Sequence, residues 1–195
     1  MKVIGITGTS GSGKTTLSQI LNKKNDVSVI DADKVAREIS VPGTAYNKAI
    51  EEAFGKEVFL EDGNLNRKKL ANKIYNDNEA LSKLNNLTFK YVIEEILLKI
   101  DKLKENKEIK YAVIDVPLLF ESGLDKHCDE VISLIADKDL KIKRICKRDN
   151  IDKKTAESRL SIQHNDEFYI EKSDYVIVNN EDCDLEAEFN KVVNK

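Results

Sequence analysis

Gly8-Thr9-Ser10-Gly11-Ser12-Gly13-Lys14-Thr15, followed by Thr16, fits G-x-x-x-x-G-K-[S/T] at every position. Before it, Lys2-Val3-Ile4-Gly5-Ile6-Thr7 has the apolar, β-branched character of a buried strand. After it, Leu17, Ile20 and Leu21 fall at i, i+3 and i+4, one face of a helix. Strand, glycine-rich loop and helix in that order are the setting in which a P-loop works.

The chemistry follows from the residue types. Glycines let consecutive N–H groups curl inward as a nest for phosphate oxygens. The helix opening after the loop adds unpaired N–H groups and its positive dipole end. Gly11, Ser12, Gly13, Lys14, Thr15 and Thr16 are therefore the expected nucleotide-binding set. Lys14 is expected to reach the β- and γ-phosphates, and the Thr15 hydroxyl to ligate Mg²⁺. The stretch predicts binding of a nucleoside triphosphate.

The 195 residues suffice for one compact domain with a real core. Charged residues make up 34% and hydrophobic ones 41%, the balance of a soluble globular chain. A formal net charge of −3 argues against broad nucleic-acid or membrane binding, both of which favour a basic surface. No apolar run reaches the length of a membrane span, and the N-terminus enters a strand at once, which predicts a cytosolic protein without a signal peptide. Cys128, Cys146 and Cys183 are far apart and odd in number, so neither a disulfide framework nor a Cys-x-x-Cys metal site is suggested. His127 and His164 read as ordinary polar residues, His164 on a helix face.

Further short apolar runs at 27–30, 111–114, 131–135 and 175–178 complete a set of five expected strands, separated by helical patterns. Such alternation predicts an α/β fold: a five-stranded parallel sheet of the P-loop NTPase type with helices on both faces. The strand-free stretch of about 45–105 predicts a helical insertion, leaving a core of 1–44 and 106–195 within one domain. A very basic helix at 138–148, a break at 149–152 and a helix from Thr155 to near His164 suggest a lid of about 144–165.

In open parallel sheets, ligands sit beyond the carboxyl ends of the strands. That singles out Asp31 and Asp33, Asp115, and Asn179, the last for the nucleotide. We assign Asp33 as general base and acceptor anchor and Asp31 to the metal shell; the competing reading is that one of them caps the next helix. Asp115 ends its strand in the manner of a Walker B acid, a second candidate for the metal. Arg144 and Arg148 sit where a closing lid would bring charge to the γ-phosphate, Arg148 as a catalytic group, and Arg159 lies across the break.

At this point the residues resemble those of the dephospho-CoA kinase family, nearly end to end and in order. Ile6-Thr7-Gly8 through Thr15 is similar to its P-loop, Asp31-Ala32-Asp33 to its Asp-Ala-Asp, and Pro42-Gly43-Thr44 with Phe54-Gly55 to the segment that follows. Gly63, Leu65, Arg67 and Leu70 match its Gly-x-Leu-x-Arg-x-x-Leu, and Val116-Pro117-Leu118-Leu119-Phe120-Glu121 is the most distinctive block. Arg144, Arg148, Arg159 and Gln163 fit its lid, Asp174 and Asn179 its closing strand. The resemblance implies ATP as donor, Mg²⁺, and dephospho-CoA phosphorylated on its ribose 3′-hydroxyl near Asp33. It also implies acceptor contacts from Arg67, Leu118 and Glu121 and a helical insertion on the CoA side. The chain departs from the family where His-Pro is common: here Leu84-Asn85-Asn86-Leu87-Thr88 continues into Phe89-Lys90.

Two rival readings share part of this pattern. Another small-molecule P-loop kinase, of nucleoside, nucleotide or shikimate type, would also carry Lys14, Thr15 and the acidic pair. A GTP-dependent switch would want Asn-Lys-x-Asp after a late strand and Asp-x-x-Gly after the third. This chain has Asn179-Asn180-Glu181 and Asp115-Val116-Pro117-Leu118 there.

Overall fold

The structure, a computed structural model, describes residues 1–194. The strands are β1 (Lys2–Thr7), β2 (Val27–Asp31), β3 (Tyr111–Asp115), β4 (Glu130–Ile135) and β5 (Tyr175–Val178). Between and after them run α1 (Lys14–Leu21), α2 (Ala32–Glu38), α3 (Ala45–Phe54), α4 (Arg67–Ile74), α5 (Asn78–Lys104), α6 (Leu119–Ser122), α7 (Lys138–Asp149), α8 (Lys153–Ser161), α9 (Asp166–Lys172) and α10 (Leu185–Val193). The five strands form one parallel sheet, as the alternating pattern predicted; its order, β2-β3-β1-β4-β5, sets β3 between β2 and the strand that leads into the phosphate loop.

Alternation along β1 explains how the sheet is covered. Ile4 and Ile6 point to one face and join Leu17 and Leu21 of α1 with Leu185, Phe189 and Val192 of α10 in the main core cluster. Gly5 points to the other face, where a side chain would run into Leu119 and Cys128, each 2.9 Å from the position of a Cβ. The register Ile4↔Val113 and Ile6↔Ile132 carries the same apolar layer across three strands. Because β1 lies in the middle of this layer, the loop that leaves its carboxyl end is held by buried strands on both sides.

The chain divides into two compact units, Met1–Val29 with Leu103–Lys195, and Ile30–Lys102; the boundaries fall inside β2 and near the end of α5. The second unit is helical. Its cluster is built on Tyr46, Ile50 and Phe54 of α3 with Val58 and Leu70, flanked by Leu84, Leu87 and Tyr91 of α5. Thr44 caps α3 by accepting from the Asn47 N–H at 3.3 Å, directly after the Pro42-Gly43 break. Where the family commonly shows His-Pro, α5 continues unbroken, and Thr88 meets the Tyr46 hydroxyl at 3.0 Å.

Several local expectations are corrected. The apolar spacing of Val92, Ile93, Ile96, Leu97 and Ile100 predicts a helix from near Leu87 to Leu103; α5 begins instead at Asn78, because Asp77 accepts from the Ala80 N–H at 2.9 Å and starts it early. The helix expected from Thr155 to near His164 is α8, which begins two residues earlier and ends at Ser161. His164 therefore lies on no helix but in the connection to α9, a helix absent from the sequence reading and capped by Asn165. Lys141, within the very basic helix, is buried and bonded to both Asp166 oxygens at 2.7 and 2.8 Å.

Candidate active site

The phosphate loop joins β1 to α1, and its backbone requires glycine at particular positions. Gly8 has φ +135, and a Cβ there would lie 2.1 Å from the Leu134 carbonyl oxygen. Gly13, the residue before α1, has φ +107 and packs against the Asn179 amide nitrogen, 2.1 Å from where a Cβ would sit. It supplies no side-chain cap, so the first N–H groups of α1 are left for an anion. Thr9 Oγ1 and Ser12 Oγ are buried without a hydrogen-bond partner among the described residues, which leaves two hydroxyls of the loop unsatisfied. Thr15 and Thr16 are exposed at the start of the helix.

Around this loop the structure gathers side chains from distant parts of the sequence. Lys14 Nζ donates to the Gly8 carbonyl, folded back along the loop. Arg144 on α7 donates to the Gly11 carbonyl at 3.1 Å. Asn179, buried just past β5, donates from Nδ2 to the Ser12 carbonyl at 2.7 Å. Its amide thus braces the loop from beneath, a role position alone did not disclose. Asp115, at the end of β3, accepts from the Ser18 hydroxyl at 2.6 Å. Ser18 was missed because a lone serine inside a helix carries no pattern.

The remaining residues of the expected set are more dispersed. Arg148 points to an exposed face, where Asp149 takes its Nε at 2.8 Å and the Arg159 guanidinium at 2.6 Å. The Arg148 hydrogen bond, above all, holds the Asp149 carboxyl below the usual carboxylate range. Arg148 is thus tied to its own neighbour and not gathered onto the loop as Arg144 is. Leu118 is exposed after the β3 turn, and Glu121 lies 3.2 Å from His164 Nε2.

In the helical unit, Asp31 caps α2 by accepting from the Lys34 N–H at 3.0 Å, which bears out the capping alternative for one oxygen of that carboxylate. Asp33 is exposed on the first turn of α2 and makes no hydrogen bond or ion pair among the described residues. The Arg67 side chain is likewise exposed and unpartnered at the start of α4, whose cap is Asn66. Cys128 is kept inert: burial first, then Asp125, Asp129 and Asp174, push its thiol up to about 12. No group of three or more His, Cys, Asp or Glu side chains able to hold a metal occurs among the described residues. Nor is any helix among them long and apolar enough to cross a membrane.

Comparison with known proteins places this geometry. The family model described as dephospho-CoA kinase matches residues 2–184. The dephospho-CoA kinase of Fusobacterium nucleatum is 40% identical over 190 residues, covering 97% of this chain and 94% of that protein. That of Lactobacillus johnsonii is 37% identical over 176 residues, covering 90% of this chain and 88% of the relative. Among solved structures, dephospho-CoA kinase from Campylobacter jejuni superposes with a TM-score of 0.69 at 29% identity, covering 98% and 95% of the two chains. A P-loop braced by Arg144 and Asn179, on a parallel sheet matched end to end by these proteins, leaves one assignment: the chain belongs to the dephospho-CoA kinase family.

Proposed function

We propose that the protein transfers the γ-phosphoryl group of ATP to the ribose 3′-hydroxyl of dephospho-CoA, yielding coenzyme A and ADP, the last step of CoA biosynthesis. The observation that carries this reading is the uninterrupted family match over residues 2–184, which includes the phosphate loop and the whole helical unit. A shikimate- or nucleoside-type kinase would share the phosphate loop, but it is the dephospho-CoA kinase model that matches across both units.

The chain's own groups suit phosphoryl transfer, which asks for positioning and charge stabilisation more than covalent chemistry. Loop N–H groups and the open N-terminus of α1 hold the phosphates, and Lys14 swings from the Gly8 carbonyl onto the β- and γ-oxygens. Arg144 steadies the loop through Gly11 while its remaining donors face charge on the nucleotide. Arg148 joins only by exchanging Asp149 for phosphate as the lid closes. Asp33 accepts the proton of the attacking hydroxyl, a role its exposure and lack of partners leave open. Arg67, Leu118 and Glu121 contact the acceptor, the arginine through its phosphates. Asn179 serves the nucleotide through the loop it braces.

The donor set also fits Mg²⁺, a hard cation that prefers oxygen and keeps much of its shell from phosphate and water. The Thr15 hydroxyl would ligate it. Asp115, oriented by Ser18, would hold it through water; Asp31, with one oxygen left by its helix cap, is the other metal candidate. When bound, the ion neutralises charge on the β- and γ-phosphates.

The test offers dephospho-CoA, shikimate, AMP and uridine side by side with ATP and identifies the phosphorylated product. Turnover of dephospho-CoA alone, giving a 3′-phosphate, is expected. Turnover of another acceptor in preference to it would overturn the assignment while leaving the phosphate-loop chemistry in place.

A further inference from the structure

One polar side chain outside the set above makes a two-point contact with the phosphate loop. Gln163 lies in the connection between α8 and α9. Its Oε1 accepts from the Ser10 N–H at 2.9 Å, and its Nε2 donates to Ser10 Oγ at 3.1 Å. A backbone N–H is only a donor, so the bond at 2.9 Å fixes which end of the amide faces it. Both bonds fall on one residue of the loop, 153 positions away in sequence.

The connection that presents Gln163 is itself pinned. His164 stacks on Phe168, ring centroids 3.7 Å apart at 12°, and its Nε2 lies 3.2 Å from Glu121. The first turn of α9 is fixed to α7 by the buried Lys141 against Asp166. Gln163 is itself exposed, but the anchors that follow it directly let this short segment hold the loop in one geometry.

We propose that Gln163 is a positioning residue for phosphoryl transfer, acting through Ser10. By bracketing Ser10 it sets the upper limb of the phosphate loop, so that order in the lid connection and geometry of the phosphate cradle are coupled. The inference rests on the kinase reading above. Its effect falls on the transition state more than on ATP binding: a bound triphosphate can itself draw a loosened loop together, but in-line transfer tolerates little displacement. A full ångström of misplacement costs about 100-fold, and a loop with its other braces intact should lose about 10-fold.

Gln163→Met keeps the length and removes both bonds; Ser10→Ala removes only the hydroxyl contact. With ATP and dephospho-CoA, Gln163→Met should lower kcat about 10-fold while the KM for ATP stays within about 3-fold, and Ser10→Ala should lose less. The double variant should be no worse than Gln163→Met alone. Amide exchange, followed by NMR without nucleotide, should show lost protection at Ser10 and its loop neighbours and none at β1. An unchanged kcat, additive losses in the double variant, or unaltered exchange at Ser10 would each overturn the proposal. Absence of dephospho-CoA turnover in the wild type would instead overturn the kinase reading, and the exchange comparison would still decide whether Gln163 holds the loop.

Discussion

In the unit that carries the phosphate loop, four of the expected site residues are tied to the loop or to α1. Lys14 is bonded to Gly8, Arg144 to Gly11, Asn179 to Ser12, and Asp115 to Ser18. In the helical unit, Asp33 and Arg67 stand exposed without side-chain partners among the described residues, and Asp31 has given one oxygen to a helix cap. The difference matches the two halves of the reaction. A triphosphate needs an array of fixed donors, since reorganising them during transfer would forfeit their effect. An acceptor hydroxyl needs one unoccupied carboxylate, and a carboxylate already engaged in a hydrogen-bonded pair would be a poorer base.

Three perturbations would break or sharpen that contrast. The largest effect is expected at Lys14: Lys14→Ala removes the charge that follows the γ-phosphate, and steady-state assays should show transfer falling by about 10³-fold or more. Near-normal turnover in that variant would mean the loop does not hold the reacting phosphate. A smaller effect is expected beneath the loop. Asn179→Ala leaves the Ser12 carbonyl without its donor, which should cost about 1–3 kcal/mol in denaturant titration. The KM for ATP should rise with it; intact stability and ATP affinity would show that the brace is dispensable.

The smallest effect concerns Cys128, which flanks β1 on the face away from α1. With its thiol pushed up to about 12 by burial, the folded chain binds that proton more tightly than the unfolded one does. The associated stability is complete below the unfolded thiol pKa of about 8.5 and is lost as pH rises toward the folded value. Alkylation by iodoacetamide should therefore be negligible at Cys128 at neutral pH in the folded protein and ordinary after denaturation. Rapid native labelling would show the thiol to be exposed and ionised.

Much of the fold was legible because its signals are local. Five short apolar runs, the glycines of the loop and the Pro42-Gly43 break each declare themselves within a few residues, and a parallel sheet follows from that alternation, though not the order of its strands. What escaped was of two kinds. Helix α9 and the first turns of α5 are polar segments begun by single caps, Asn165 and Asp77, and weak apolar periodicity hid them. The partners of the bracing residues escaped for another reason, although the residues themselves were singled out. Gln163 reaches Ser10 across 153 residues, Arg144 reaches Gly11 across 133, and Asp115 meets Ser18 across 97. Such pairings exist only once the sheet has closed, and no pattern at either end announces them. Arg148 shows the converse: a well-placed arginine in sequence that folding ties to Asp149.

The division of labour between a fixed donor cradle and an open acceptor carboxylate is tested most directly on Asp33→Asn. Its kcat with ATP and dephospho-CoA should be measured beside its Kd for ATP. The account predicts a fall in kcat of about 10²–10⁴-fold with ATP binding unchanged within about 3-fold, as for loss of a general base outside the phosphate cradle. Full turnover in that variant, or a loss of ATP binding that accounts for the whole defect, would contradict it.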